Sequence, residues 1–449
     1  MLNIKRLSGT QIIAAGFFAI ILTGGILLFL PVSNKAGASF IDTLFTAVSA
    51  TCVTGLVTTD TYGTYTAFGH FIILLLIQTG GLGFISIAAV FTIGMGKKIG
   101  IRERMLMSES ISLPETSGIV RLMRFIIFVT LTTELIGAVL LSICFIPEFG
   151  VADGIFKGVF HSVSAFCNAG LDLMGEKEPF SSFTGFNTFN LRCVIINLTL
   201  SILVIIGGLG FWVWEDLYCF RRRKRLRLHS KLVLIISAVL TVVGAVMFLA
   251  FEYGNPGTLG NLNLAEKIMA SLSQSIFART AGFNTVDLSS MKQETTILEC
   301  LLMFIGASPG STGGGIKTTV FAVMLLTVFS VVRGSDEVFV FGRRISKRLR
   351  LRAVAIFSMS LTVVLTGVTV ICTFQGAAFE KILFEVISAF GTTGLTMGIT
   401  TSMPVPAKIM LMILMYFGRV GVLTAGYAIA RRQHLTQDII SYPHEDILI

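Results

Sequence analysis

Four short phrases decide how this chain is to be read: Ser49-Ala-Thr-Cys-Val-Thr-Gly-Leu56, Ser164-Ala-Phe-Cys-Asn-Ala-Gly-Leu171, Ile276-Phe-Ala-Arg-Thr-Ala-Gly-Phe283 and Ser388-Ala-Phe-Gly-Thr-Thr-Gly-Leu395. Their glycines, Gly55, Gly170, Gly282 and Gly394, follow one another at intervals of 115, 112 and 112 residues. Small residues that pack helices together account for isolated glycines in an apolar chain. They do not account for a glycine that recurs in register four times, which marks an internal repeat. The segments ahead of the phrases, such as Phe40-Ile-Asp-Thr-Leu-Phe-Thr-Ala-Val-Ser49 and Glu380-Lys-Ile-Leu-Phe-Glu-Val-Ile-Ser388, have helical period but are too short to cross a bilayer.

Long uncharged stretches flank each phrase. Residues 7–34, 61–96, 193–214, 232–251 and 353–379 hold no Asp, Glu, Lys or Arg. Residues 125–147, 300–332 and 409–430 hold one each: Glu134, Lys317 and Arg419. A spanning helix needs about 20 such residues, so eight spans are expected. The first stretch is longer than the apolar region of a signal peptide and reads as a retained anchor. Composition agrees: 53% of the 449 residues are hydrophobic and only 13% charged, about half the charge of a soluble domain. That excludes an ordinary soluble enzyme and a disordered chain.

The net charge of +10 is placed, not spread. Segments 1–8, 96–124, 219–231, 333–352 and 431–449 carry 24 of the 35 basic residues, while the opposite loops hold nine. The bias puts those segments and both termini in the cytoplasm. It also explains the run Arg221-Arg-Arg-Lys-Arg-Leu-Arg227 by topology and anionic lipid, without nucleic acid. The fold class expected is therefore an all-α integral membrane protein. Its four pseudo-repeated units, each a span, half-helix, filter loop and span, surround one central pore. Their limits are 8–96, 119–218, 232–332 and 353–430, with a cytoplasmic tail at 431–449.

The phrases end in Val53-Thr54-Gly55, Asn168-Ala169-Gly170, Thr280-Ala281-Gly282 and Thr392-Thr393-Gly394. None of these twelve residues is charged, and none suits acid–base work or a transition metal. What they offer is main-chain carbonyls and a few hydroxyls. Glycine takes positive φ readily, and alternating handedness turns successive carbonyls to one side. Four such bends on an axis can replace the water shell of a weakly hydrated monovalent cation. Inward-pointing C-terminal ends of the half-helices add partial negative charge.

This pattern resembles the Trk/Ktr/HKT superfamily of cation transporters over nearly the whole chain. The eight-span length is most similar to the membrane subunits of bacterial Ktr systems (KtrB/KtrD type). The resemblance implies K+ uptake at the bacterial plasma membrane and a homodimer with one pore per subunit. It also implies Na+ as a candidate activator or symported ion, and a cytosolic ring of RCK-type nucleotide-binding subunits of the KtrA or KtrC kind. The ring would dock on the basic inner loops, with the tail around Glu445 and Asp446. In the superfamily a serine at the first filter position often accompanies Na+ permeation, so Gly55 argues for K+.

A second glycine run, Gly306-Ala-Ser-Pro-Gly310-Ser-Thr-Gly313-Gly314-Gly315-Ile-Lys317, interrupts the helix after the third phrase. It is not a phosphate loop, because Ile316 stands where that motif needs glycine, and no strand precedes it. Glycine and proline at this density break a helix. A broken segment below a filter is placed to obstruct the pore, and intramembrane cations are functional candidates. The resemblance gives the same region a gating role, assigned here to Gly310, Ser311, Thr312, Gly313, Gly314 and Gly315, and to Lys317 and Arg419.

Other features read more plainly. Gly80-Gly-Leu-Gly-Phe84 recurs as Gly207-Gly-Leu-Gly-Phe211, and close helix packing explains it better than dinucleotide binding. Arg279, three residues before Gly282, is expected to point behind the filter. Glu134 is read as a buried polar link or a proton-coupling site. The seven cysteines form no CxxC pair and the five histidines are scattered, so no catalytic or metal cluster is expected. No cofactor is expected beyond the transported ion.

Overall fold

The computed structural model describes residues 9–83, 100, 104, 105, 107, 118–176, 178–335 and 337–422. The tail at 431–449 with Glu445 and Asp446, most of the inner segments 1–8 and 96–124, and Phe84 lie outside them. The described chain is almost wholly helical, and one sequence of elements is met four times. A long helix leads to a short helix, an irregular phrase and a second helix.

In the first round these are α1 (Gly9–Phe29), α2 (Phe40–Cys52), the one-turn α3 (Thr61–Thr64) and α4 (Ala67–Leu82). The second has α5 (Ile119–Phe149), α6 (Val151–Phe166), α7 (Leu191–Leu209) and α8 (Phe211–Arg223). The third has α9 (Leu228–Glu252), α10 (Leu264–Phe277), α11 (Gln293–Phe304) and α12 (Thr318–Val332). A hairpin, β1 (Val338–Val340) antiparallel to β2 (Arg343–Ile345), precedes α13 (Lys347–Phe374), α14 (Phe379–Gly391) and α15 (Val405–Val420).

Five of these helices, α1, α5, α7, α9 and α13, are long and apolar enough to cross a membrane. Their surfaces say the same. On α9, Ile235, Val239, Val242 and Val246 form an exposed apolar stripe, while Ser237, Gly244 and Phe248 face inward. That inversion is expected of a helix solvated by lipid. Of the three other expected spans, 61–96 and 409–430 run on past the described residues after Gly83 and Val422. The third, 300–332, is split into α11 and α12.

The four short helices share a polarity. Each carries an acid in its first turn: Asp42 on α2, Asp153 on α6, Glu266 on α10 and Glu380 on α14. Negative charge there complements the positive end of the helix dipole. Ser39 caps α2 through the Asp42 N–H, and Asn263 with Glu266 forms a reciprocal capping box on α10. The opposite, carbonyl-bearing ends run into the glycine phrases.

The second helices explain the recurring glycine motif. Gly80 lies against the Thr51 carbonyl, Gly207 against that of Phe166, and Gly418 against that of Phe390. Each carbonyl is four residues before the phrase glycine of its own round, so a second helix packs its backbone directly on the end of the short helix. Three residues further on, Gly83, Gly210 and Gly421 take φ of 79°, 91° and 89° and end α4, α7 and α15. The expected break in the third round thus has counterparts at the ends of α4, α7 and α15. The shared contact identifies Gly418-Arg-Val-Gly421 as a third copy of the motif, with Arg419 in the place of Gly81 and Gly208.

Between the last and first rounds, Lys408 Nζ meets Asp42 Oδ1 at 2.7 Å and Tyr416 donates to the Ala14 carbonyl. Phe45 and Val48 of α2 join the apolar core formed by α14 and α15.

Because an added Cβ would collide with the Phe166 carbonyl, Gly207→Ala should lower stability by about 2 kcal/mol, the usual cost of overpacking. Gly376, which has nothing within 4 Å of an added Cβ, should tolerate alanine unchanged. Thermal unfolding of the detergent-solubilised protein separates the two.

Candidate functional site

Each phrase leaves the axis of its short helix through two left-handed residues. The first stands two places before the glycine: Val53 (φ 58°), Asn168 (φ 59°), Thr280 (φ 87°) and Thr392 (φ 51°). The second is the glycine itself, with φ of 100°, 65°, 73° and 93° for Gly55, Gly170, Gly282 and Gly394. A β-branched residue resists positive φ, so Val53, Thr280 and Thr392 are held there by the surrounding structure. The alternation turns the intervening carbonyls together.

The four bends meet. A methyl group built on Gly55 would stand 2.7 Å from the Ala169 carbonyl oxygen, and one on Gly170 2.5 Å from that of Ala281. One on Gly282 would strike the Thr393 carbonyl, and one on Gly394 the Thr54 carbonyl. First touches second, second touches third, third touches fourth and fourth touches first. The contacts close into a ring of Thr54, Gly55, Ala169, Gly170, Ala281, Gly282, Thr393 and Gly394, and any side chain at the four glycines would collide with its neighbour's carbonyl. The Thr54 and Thr393 hydroxyls are buried there without a hydrogen-bond partner.

Side chains behind the ring hold it in place. Ser49 Oγ accepts from Gly55 N at 3.0 Å and Ser388 Oγ from Gly394 N at 3.1 Å, both from six residues upstream. Ser164 Oγ instead donates to the Leu171 carbonyl. The third phrase has Ile276 at that place, and Ala281 N and Gly282 N donate to the Phe277 carbonyl. Arg279 points away from the ring. Its guanidinium donates to the Ser237 carbonyl and hydroxyl and to Thr241 Oγ1 on α9.

Sequence reading overlooked two more supports. His161 Nε2 is 3.1 Å from Leu173 N, and Glu385 Oε1 accepts from Met397 N at 3.1 Å. Each pins the chain three residues past a filter glycine from nine residues before it. A polar residue stands at that helical position in all four rounds (Thr46, His161, Ser273 and Glu385), and this is the signal that could have revealed them.

Residues 305–317 form the irregular stretch between α11 and α12, and this loop crosses directly beneath the ring. Thr312 donates through its hydroxyl to the Phe166 carbonyl, at the end of α6, and through its N–H to that of Gly207. Gly313 lies against the Thr280 side chain, while Gly314 N donates to Thr392 Oγ1 at 2.9 Å. Gly315 N donates to the Gly418 carbonyl, and the Gly310 carbonyl accepts from Phe211 N. Ser311 closes a turn on the Ser308 carbonyl, and Lys317 Nζ donates to the Gly313 carbonyl at 2.7 Å. Arg419 reaches in from α15. It donates to the Thr312 carbonyl and, on its other side, to the carbonyls of Gly80 and Gly81. Below the loop lies an open cavity of about 260 Å³, lined among others by Phe17, Gly83, Lys317, Arg352 and Arg419.

A ring of four main-chain bends inside apolar spans is the mark of a multi-pass membrane transporter of pseudo-fourfold build, and comparison with known proteins agrees. The sequence profile of the TrkH family, described as cation transport protein, matches residues 5–442. The chain belongs to this family of cation transport proteins. It is 40% identical over 442 residues to Ktr system potassium uptake protein B of Bacillus subtilis, covering 98% of this chain and 97% of that one. It is also 40% identical over 451 residues to the potassium/sodium uptake protein NtpJ of Enterococcus hirae, covering 99% and 98%. Its fold matches the crystal structure of the potassium transporter TrkH from Vibrio parahaemolyticus, with TM-score 0.73 at 18% identity over 94% of this chain and 85% of that one.

Arg279→Ala removes three hydrogen bonds behind the third phrase and should lower cation uptake several-fold at unchanged surface expression. Uptake kinetics identical to the parent's would show that the Arg279 link does not support the ring.

Proposed function

We propose that this chain is the pore-forming membrane subunit of a K+ uptake system. The observation that carries the reading is the closed ring of uncharged backbone at Gly55, Gly170, Gly282 and Gly394. Its carbonyls, with the hydroxyls of Thr54 and Thr393, are suited to take the place of water around K+, an ion that gives up its hydration shell at modest cost. The carbonyl ends of the four short helices add favourable potential. The ring offers no carboxylate that would favour a divalent ion. Transport without chemistry fits a site with no nucleophile or acid–base pair.

On this reading the 305–317 loop is the gate. Gly310 to Gly315 obstruct the path under the filter, and Lys317 and Arg419 hold the loop closed through backbone carbonyls. Opening requires the contacts of Thr312, Gly314 and Arg419 to break together. The similarity to Ktr proteins supports a homodimer and a cytosolic nucleotide-binding regulatory ring of the RCK type that moves the gate. A less selective K+/Na+ pathway of the same build is the second reading, favoured by the similarity to a potassium/sodium uptake protein.

Expression in cells that lack K+ uptake tests the first reading directly. Growth at low K+ should be restored, and Gly282→Asp, which drives a side chain into the Thr393 carbonyl, should weaken apparent K+ affinity at least tenfold. Failure to restore growth with protein present in the membrane would end the K+ reading. Restoration with and without added Na+ separates Na+ stimulation from independence. Deleting residues 313–315 should raise ion flux several-fold, since it removes the obstruction; flux unchanged or reduced at normal surface expression means the loop is no barrier.

A further inference from the structure

The second phrase is held from behind by a group that the pore reading leaves without a role. Glu134 lies midway along α5, in an otherwise uncharged span, and is only 6% exposed. A carboxyl in such a place is costly unless hydrogen-bonded. Glu134 Oε2 accepts from Gln78 Nε2 on α4 at 3.2 Å. Both side chains face the fully buried thiol of Cys167, whose Sγ is 3.8 Å from Gln78 Oε1 and 3.9 Å from Glu134 Oε1. Cys167 immediately precedes Asn168, the first left-handed residue of the second phrase. The Glu134 backbone is itself fixed, because Ser162 Oγ on α6 donates to its carbonyl at 2.6 Å. No cation contacts the Glu134 carboxyl among the described residues.

The same corner adjoins the gate strap. Gly81 packs directly on Cys167 and leaves no room for a Cβ, while its carbonyl accepts from Arg419 at 3.0 Å. The Glu134–Gln78 pair thus backs the filter at the point where the first round, the second phrase and the Arg419 strap come together. Its counterpart behind the third phrase is Arg279, at the same place relative to its glycine as Cys167, tied to Ser237 and Thr241.

We propose that Glu134 is a positioning residue for ion selection, acting through Gln78 and Cys167 to fix the direction in which Asn168, Ala169 and Gly170 face the axis. Na+ is smaller than K+, and a carbonyl ring binds it well only by drawing inward. A second phrase anchored from behind resists that contraction; one released from Glu134 follows the smaller ion. This role rests on the pore reading and adds to it the group that sets discrimination at one quadrant. Glu134 touches no ion, and its effect is on the preference between ions, not on whether K+ passes.

The test is Rb+ or K+ uptake with Na+ as competitor, in cells expressing the full chain with surface protein quantified. Glu134→Ala should keep K+ uptake but lower the K+-over-Na+ preference about tenfold, the scale of a buried hydrogen bond to a carboxyl. Glu134→Gln keeps an acceptor for Gln78 and should stay within about twofold of the parent. Gln78→Ala approaches the same link from the other helix and should reproduce Glu134→Ala. It reads the link even where Glu134→Ala fails to reach the membrane. The double variant should be no worse than either single one, as expected for groups acting as a unit. An unchanged ion preference in Glu134→Ala and Gln78→Ala, with normal K+ uptake, overturns the positioning role and leaves the pore intact. Loss of uptake in Glu134→Gln equal to that in Glu134→Ala overturns it in favour of a proton-carrying role. Absence of K+ uptake by the parent chain removes the pore reading and this one with it.

Discussion

Everything in the described structure answers to one backbone constraint. Four chain segments must each hold two left-handed residues, one of them not glycine, at the centre of an apolar bundle. Left-handed geometry at Val53, Thr280 or Thr392 is unfavourable by itself. It persists because each bend is fixed on three sides. A short helix ends in it, the next bend presses against its glycine, and behind it packs either a second helix, glycine to carbonyl, in the first, second and fourth rounds, or Gly313 of the 305–317 loop in the third. Removing any of these lets the backbone relax to an ordinary turn, and the carbonyls then no longer face a common axis. Non-helical backbone at membrane depth is tolerated only when protein or a water-lined path covers it. Here the two conditions coincide, since the covering helices also set the strain.

The glycine of each phrase does two jobs that no other residue could do together. It supplies positive φ without a steric cost, and it has no Cβ to strike the neighbouring carbonyl. The glycines of the second helices serve another end. Gly80, Gly207 and Gly418 bring backbone against backbone, which small residues permit in membranes. Gly83, Gly210 and Gly421 then stop the helix.

Much of this was open to reading from the chain itself. The period of about 112 residues, the short amphipathic segments and the uncharged flanks located the four phrases, because each follows from spacing and composition. The alternation of handedness could be anticipated at the glycines, whose freedom is local. It could not be read at Val53, whose side chain argues against it; only tertiary packing places it there. The contacts of Glu134, Arg279 and Arg419 were invisible for a related reason. Their partners lie on helices 42, 56 and more than 300 residues distant in sequence, and one sequence carries no trace of such pairings. The helix breaks are an intermediate case. The motif at Gly80 and Gly207 was seen, but its relation to Gly418 and Gly421 emerges only when the three are superposed on the same carbonyl contact.

Arg419 shows how the repeat was turned to a single use. At its position the first two copies of the motif have Gly81 and Gly208, which bring backbone close to the ring and offer carbonyls to Arg419 and to Ser308 N. The third copy, in the fourth round, places a guanidinium there instead. That side chain is long enough to reach the Thr312 carbonyl of the loop from one round and the Gly80 and Gly81 carbonyls of another. Its planar array of donors suits several carbonyls at once, which the point charge of a lysine does not. The loop is thereby tied to the ring's supports on either side. Thr312 reaches the end of α6, Gly314 and Gly315 reach Thr392 and Gly418, and Arg419 closes the circuit to α4. A loop so held cannot move without disturbing at least two of the helices that back the ring. Loop and ring are therefore one mechanical assembly, and whatever frees the loop also alters the support of the bends above it.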